Sequence, residues 1–310
     1  MTFRDKLAAG DPVITLELSP PKGTDPGVVL RQARTLSGLV DAINVPDCQI
    51  AILKTSSMVT SHLIERETGI EAVWQLTCRD RNLIALQSDL LGGYALGLRN
   101  LLALTGDPVQ LGDQKDVAKQ VFHLDAIRML DLLQQLNNGL DATGRPLKHG
   151  GTDYCVGAAL NPFRVFKRAQ QLRIAQKMER GVQYLQTQPV YTVEAVERMQ
   201  EVLAAVAVEA GIARPPRLLV GIIPPKSADA ARYMNKAIVG VDIPASLIDL
   251  LDRADDPARE SLAFCTDLVQ AIQPLNPDFH FMPIGMVSRM PAFLSACLGR
   301  QPVAPPTTVG

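Results

Sequence analysis

The 310 residues contain no GxGxxG, GxxxxGK, HExxH or GxSxG run, so the fingerprints of dinucleotide, phosphate-loop, zinc-protease and serine-hydrolase sites are missing. Neither sign of charge prevails. Lys plus Arg (31) against Asp plus Glu (32) gives a formal charge of −1, which leaves no basic field for a nucleic-acid backbone and excludes nucleic acid as the expected partner. Five cysteines (Cys48, Cys78, Cys155, Cys265, Cys297) show no CxxC and no Cys/His pairing at metal-ligand spacing. They read as reduced, mostly buried thiols, with no metal site expected. His62, His123, His149 and His280 are far apart, and His280, between Phe279 and Phe281, reads as a packed histidine rather than a ligand. The start, MTFRDKLAAGDPVITLELSPPKG, carries charge at Arg4, Asp5 and Lys6 and no long apolar run. The expectation is a cytoplasmic protein without a signal or a membrane span.

What is present is material for a large core: 47% hydrophobic and 20% charged residues, in a length at which closed α/β barrels run as one domain. Short apolar, β-branched runs recur at 13–18, 41–46, 72–77, 100–105, 154–159, 182–187, 218–223 and 279–284, each followed by a stretch of helical period. Eight strands alternating with helices predict an α/β fold, a single-domain (β/α)8 TIM barrel over residues 1–299. An open doubly wound sheet, the competing architecture, usually has fewer strands and a glycine-rich first turn. Two connections are long. One holds a helix over 125–136 and the loop NNGLDATGRPLKHGGTD; the other holds helical pieces over 228–236, 245–251 and 257–273. The Pro- and Thr-rich end, 300–310, reads as a disordered tail.

In such a barrel the chemistry belongs where strands end and βα loops converge. Glu17 closes the apolar strand VITLE; facing the barrel mouth, it is suited to general acid chemistry, and facing outward it is a loop cap or a partner for Lys22. Strand four ends in Thr105-Gly106-Asp107, where a glycine lets backbone approach a ligand; the plain alternative is a tight turn. Strand three runs from Gln75 and Thr77 into Arg79, Asp80, Arg81 and Asn82, either a cradle for a polar cofactor or a capped helix start with locally paired arginines. Gln188 and Asn161 end strands six and five, and amides that both donate and accept suit a pterin or isoalloxazine edge. They serve equally to satisfy loop backbone. Lys177 can reach a cofactor phosphate or remain solvated.

Taken together, TLELSPPKG, LTCRDRN with ALQSDLLG, LALTGDP, GAALNP, LQTQPVY and GIIPPKSADAARYMNKAIVGVDIP, in that order, resemble the methylenetetrahydrofolate reductases over nearly the whole chain. The resemblance extends to reductases of acetogenic bacteria and to the reductase half of a bifunctional homocysteine methyltransferase. It implies that Glu17 is the general acid, that Asp107 tunes a flavin and contacts the folate, and that Gln188 bonds the pterin. It further implies that Asp47, Gln75, Thr77, Thr105, Gly106, Asp107, Ala159, Asn161 and Lys177 hold the cofactor. FAD is the implied cofactor and NAD(P)H the donor, the two substrates taking turns on one ring system. Three positions depart from the enterobacterial pattern: Gln75 in place of a histidine, Pro46 in place of a threonine, and Met286 in place of an arginine. They leave FMN, or no flavin, open beside FAD.

The implied reaction is reduction of 5,10-methylenetetrahydrofolate to 5-methyltetrahydrofolate, or its reverse. Two other classes compete with it: a non-redox pterin-binding methyltransferase, and a reductase subunit that needs a small partner for its electrons. A homo-oligomer is a further expectation.

Overall fold

The structure, a computed structural model, describes residues 1–238 and 240–303. Eight parallel strands close on themselves in chain order: β1 Ile14–Glu17, β2 Ala42–Val45, β3 Glu71–Thr77, β4 Asn100–Leu104, β5 Cys155–Leu160, β6 Tyr184–Pro189, β7 Arg217–Ile222 and β8 Phe279–Phe281. The (β/α)8 barrel expected from the spacing is therefore the fold. Outside it run α1 Phe3–Ala9, α2 Gly27–Arg34, α3 Ser57–Thr68, α4 Leu83–Ala95, α5 Ala126–Asn137, α6 Arg168–Glu179, α7 Val193–Glu209, α8 Ala228–Ala237, α9 Ala245–Arg253, α10 Pro257–Ile272 and α11 Met290–Leu298.

The alternation along each strand divides the core in two. Outward residues such as Leu16, Ile43, Trp74, Leu101, Ala158 and Val220 pack under the helices in one large cluster, while Val13, Ala42, Val73, Leu102, Cys155, Tyr184 and Leu219 fill the barrel floor. The first helix completes that floor. Its Thr2–Asp5 capping box starts α1, and Phe3 and Leu7 plug the N-terminal end of the barrel, the Phe3 ring meeting Tyr184 edge-on at 5.3 Å. At the same end Asp278, 1% exposed, accepts from the Val13 amide and from Arg217, sewing β7, β8 and β1 together.

Strand six runs over Tyr184–Pro189, two residues beyond the expected 182–187. A register shift between Gln186 and Pro189 lets the ladder continue to Pro189, so Gln188 lies within the strand. Of the expected tail 300–310, 304–310 lie outside the described residues; within its described part, Arg300 bonds Asp41 and the Leu39 carbonyl, and the Val303 amide bonds the Ser37 carbonyl.

Candidate active site

A cavity of about 330 Å3 opens at the C-terminal end of the barrel. Its walls alternate apolar side chains (Leu102, Leu104, Leu111, Ile223, Ile238, Met282) with the amides of Gln75, Gln186 and Gln188. Its volume sits at the small end of the usual range for ligand sites.

Glu17 ends β1 half-buried on the inner wall. Alternation fixes this: Leu16 faces the helices, so Thr15 and Glu17 face inward. Burial pushes the Glu17 carboxyl up to about 7, against a smaller opposing pull from hydrogen bonds to Gln75 and then Gln49. Gln75 Nε2 donates to Glu17 Oε2 at 3.2 Å. Lys22, the alternative partner, pairs with Asp113 instead. One layer below, Thr15 and His280 bond each other at 2.8 Å, fully buried; burial lowers the imidazole to about 3, so it is the neutral, packed histidine its flanking residues indicated.

Asp47, at the end of β2, also reaches the cavity wall, yet its carboxylate is committed to protein. It accepts from the Thr77 amide and hydroxyl at 2.9 and 2.8 Å and from Arg81 at 2.7 Å. Asp47 therefore orients Thr77. The Arg79–Asn82 cluster forms a capped helix start with paired arginines: Asn82 caps α4, Arg79 pairs with Asp80 and Arg81 bridges Asp47 and Asp89, and of the four Arg79 also lines the cavity. Arg79, 2% exposed, also donates to the Cys48 carbonyl.

Across the mouth, Asp107 is exposed and accepts from the Ile50 amide at 2.8 Å. Gly106 adopts φ +95° with Thr77 and Arg79 directly behind it, and Thr105 Oγ1 accepts from Ala126 at the start of α5. The β2 loop carrying Ile50 holds three non-glycine residues in the left-handed region, Cys48, Ile50 and Ala51. That conformation costs an L-residue about 1–2 kcal/mol; the bonds from Arg79 to the Cys48 carbonyl, from the Ile50 amide to Asp107 and from the Leu53 amide to Asp113 offset it.

Of the expected site residues, Glu17, Asp47, Gln75, Thr77, Thr105, Gly106, Asp107, Ala159 and Gln188 surround this one cavity. Asn161 and Lys177 do not border it. Asn161 caps the turn at Phe163, beside the Gln188 side chain across Gly240. Lys177 Nζ donates to the Ala159 carbonyl at 2.6 Å, its amine lowered to about 8 by burial and by Arg173. Met286, one of the departing positions, is a buried core residue. The sequence reading missed Gln49, Ile50, Gln186 and Met282. Gln186 alone carried a signal, since it shares with Gln188 the two-residue period of YLQTQP. The apolar walls, the close backbone at Gly106 and the side-chain amides together suit a heterocycle with polar edges such as a flavin or a pterin.

The sequence profile of the family described as "Methylenetetrahydrofolate reductase" matches residues 2–296. A relative from Schizosaccharomyces pombe (strain 972 / ATCC 24843), "Methylenetetrahydrofolate reductase 2", is 24% identical over 91% of this chain; the chain spans 45% of that protein's length. Among solved structures, a Clostridium thermocellum protein described as binding two copies of 5-methyl-5,6,7,8-tetrahydrofolic acid superposes with a TM-score of 0.70 at 16% identity, covering 95% of this chain and 96% of that one. The EDTA monooxygenase of Chelativorans sp. BNC1 superposes at 0.55 and 10% identity, covering 93% and 94%. At these identities the two structural likenesses speak to the fold.

Proposed function

The chain belongs to the methylenetetrahydrofolate reductase family, and we propose from this that it interconverts 5,10-methylenetetrahydrofolate and 5-methyltetrahydrofolate at the mouth of its barrel. The observation that carries the reading is Glu17: a carboxyl on the cavity wall, raised to about 7 by burial, so that its protonated form is well populated near neutral pH and able to give up its proton. In the reducing direction Glu17 protonates the ring nitrogen that leaves, the five-membered ring opens to a cationic iminium, and hydride addition to that carbon yields the methyl group. The pterin edge would lie against Gln188 and Gln186, with Asp107 close enough to favour the cation. A flavin, held by Thr77, Thr105, Gly106 and Ala159, would supply the hydride when bound. NAD(P)H or a partner protein would be the source of its electrons. The folate named for the Clostridium thermocellum protein is consistent with this choice of substrate.

The test is anaerobic incubation of the purified chain with 5,10-methylenetetrahydrofolate and FAD, FMN or neither, using NADH, NADPH or reduced viologen as donor. Chromatography should show 5-methyltetrahydrofolate with at least one combination. Folate binding without conversion under every combination would overturn the reductase reading.

A further inference from the structure

We propose that Gln75 is the positioning residue for Glu17, aiming its carboxyl into the cavity and setting how readily it releases its proton. This rests on the reading of Glu17 as the general acid. The sequence resemblance placed Gln75 among cofactor contacts, but its side-chain amide is turned to Glu17 Oε2. A carboxyl oxygen that accepts a hydrogen bond leaves the other oxygen to carry the proton. Gln75 thus fixes Oε2 as an accepting oxygen of the carboxyl.

The amide is well placed because the strand beneath it is fixed from outside. The Gln75 carbonyl accepts from Ser57 Oγ at 3.0 Å, and that oxygen accepts from Trp74 Nε1 at 3.0 Å. Ser57 and Trp74 are fully buried and Gln75 is 6% exposed, so α3 fixes the end of β3, one strand removed from β1 in the ring. No charged group replaces the amide in this role. From the β2 loop Asp47 is bound to Arg81 and Thr77; from the β3 loop Arg79 is bound to Asp80; from the β4 loop Asp107 is bound to Ile50; from the β1 loop Lys22 is bound to Asp113; and from β8 His280 is neutral and bound to Thr15. Apart from burial, the influences on Glu17 are the amides of Gln75 and, less strongly, Gln49.

An amide N–H stabilises the ionised carboxylate, so removing it favours the protonated acid. Infrared titration of the full chain, with the Glu17 band assigned by subtraction of Glu17→Gln, reads this without substrate. The midpoint near 7 should rise by roughly one pH unit in Gln75→Leu, which lacks the donor. It should rise further in Gln75→Glu, where a second carboxyl shares the site. The alkaline limb of kcat/KM should move with it. An unchanged or lowered midpoint in either folded variant overturns the assignment. Midpoints that move in a chain inactive toward folate would sink the proposed function and leave this pairing standing; an active chain whose midpoints stay put would do the reverse.

Discussion

Glu17 and Glu65 show how one physical cause, burial of a carboxyl, serves two ends. Both carboxyls are pushed up to about 7, chiefly by burial. Glu17 faces a cavity where a ligand can take the proton. Glu65, on α3, accepts among the described residues only from the Ala72 amide of β3 at 2.9 Å, with Glu71 adding repulsion. For Glu65 the folded value lies above the unfolded one, so its favourable contribution is complete below the unfolded value and is lost as pH rises through about 7. Glu65→Gln keeps an acceptor for Ala72 and removes the charge. It should be more stable than the parent at pH 8.5 by on the order of 1 kcal/mol after allowance for partial exposure, the two converging at pH 5; a gap that does not change with pH contradicts this. Glu17 was legible in the sequence because a carboxylate at the end of an apolar strand is conspicuous. Gln186 was legible only in part: it shares the two-residue period of Gln188, but an amide two residues before another reads as solvent-facing until a closed barrel gives the strand an inside.

At the scale of elements, helices with regular period and capping were readable. Those after β4 and β7 were expected at 125–136, 228–236, 245–251 and 257–273 and form over 126–137, 228–237, 245–253 and 257–272. The plug helix α1 escaped notice despite its Thr2-x-x-Asp5 start, because seven residues are too few to show a period. The β2 loop escaped for a different reason. Nothing in Cys48-Gln-Ile-Ala announces left-handed backbone, which is imposed by the β4 loop pressing on it. A Cβ at Gly112 would lie 1.9 Å from the Ala51 carbonyl oxygen. Gly112→Ala should therefore push the β2 loop off the mouth. We expect amide exchange at 50–53 to accelerate by roughly tenfold or more while the barrel strands keep their protection. Unchanged exchange in that loop would show that the two loops are not coupled.

For the whole molecule, the closed ring makes the site. Its floor is sealed by α1 and an apolar layer, its middle holds the polar pairs Thr15–His280 and Asn44–Gln186, and its mouth gathers side chains from strands far apart in sequence. Spacing alone revealed the ring, because βα units impose their own period. The convergence of Glu17, Gln75 and Gln188 on one cavity follows from closure, which no single segment contains. The proposed reaction requires Glu17 as the acid of that cavity. Single-turnover reduction of 5,10-methylenetetrahydrofolate by wild type and Glu17→Gln, beside titration of both with 5-methyltetrahydrofolate, tests it most directly. Binding should agree within about threefold while the reduction rate falls by roughly a hundredfold or more; a variant that reduces folate at the wild-type rate would contradict it.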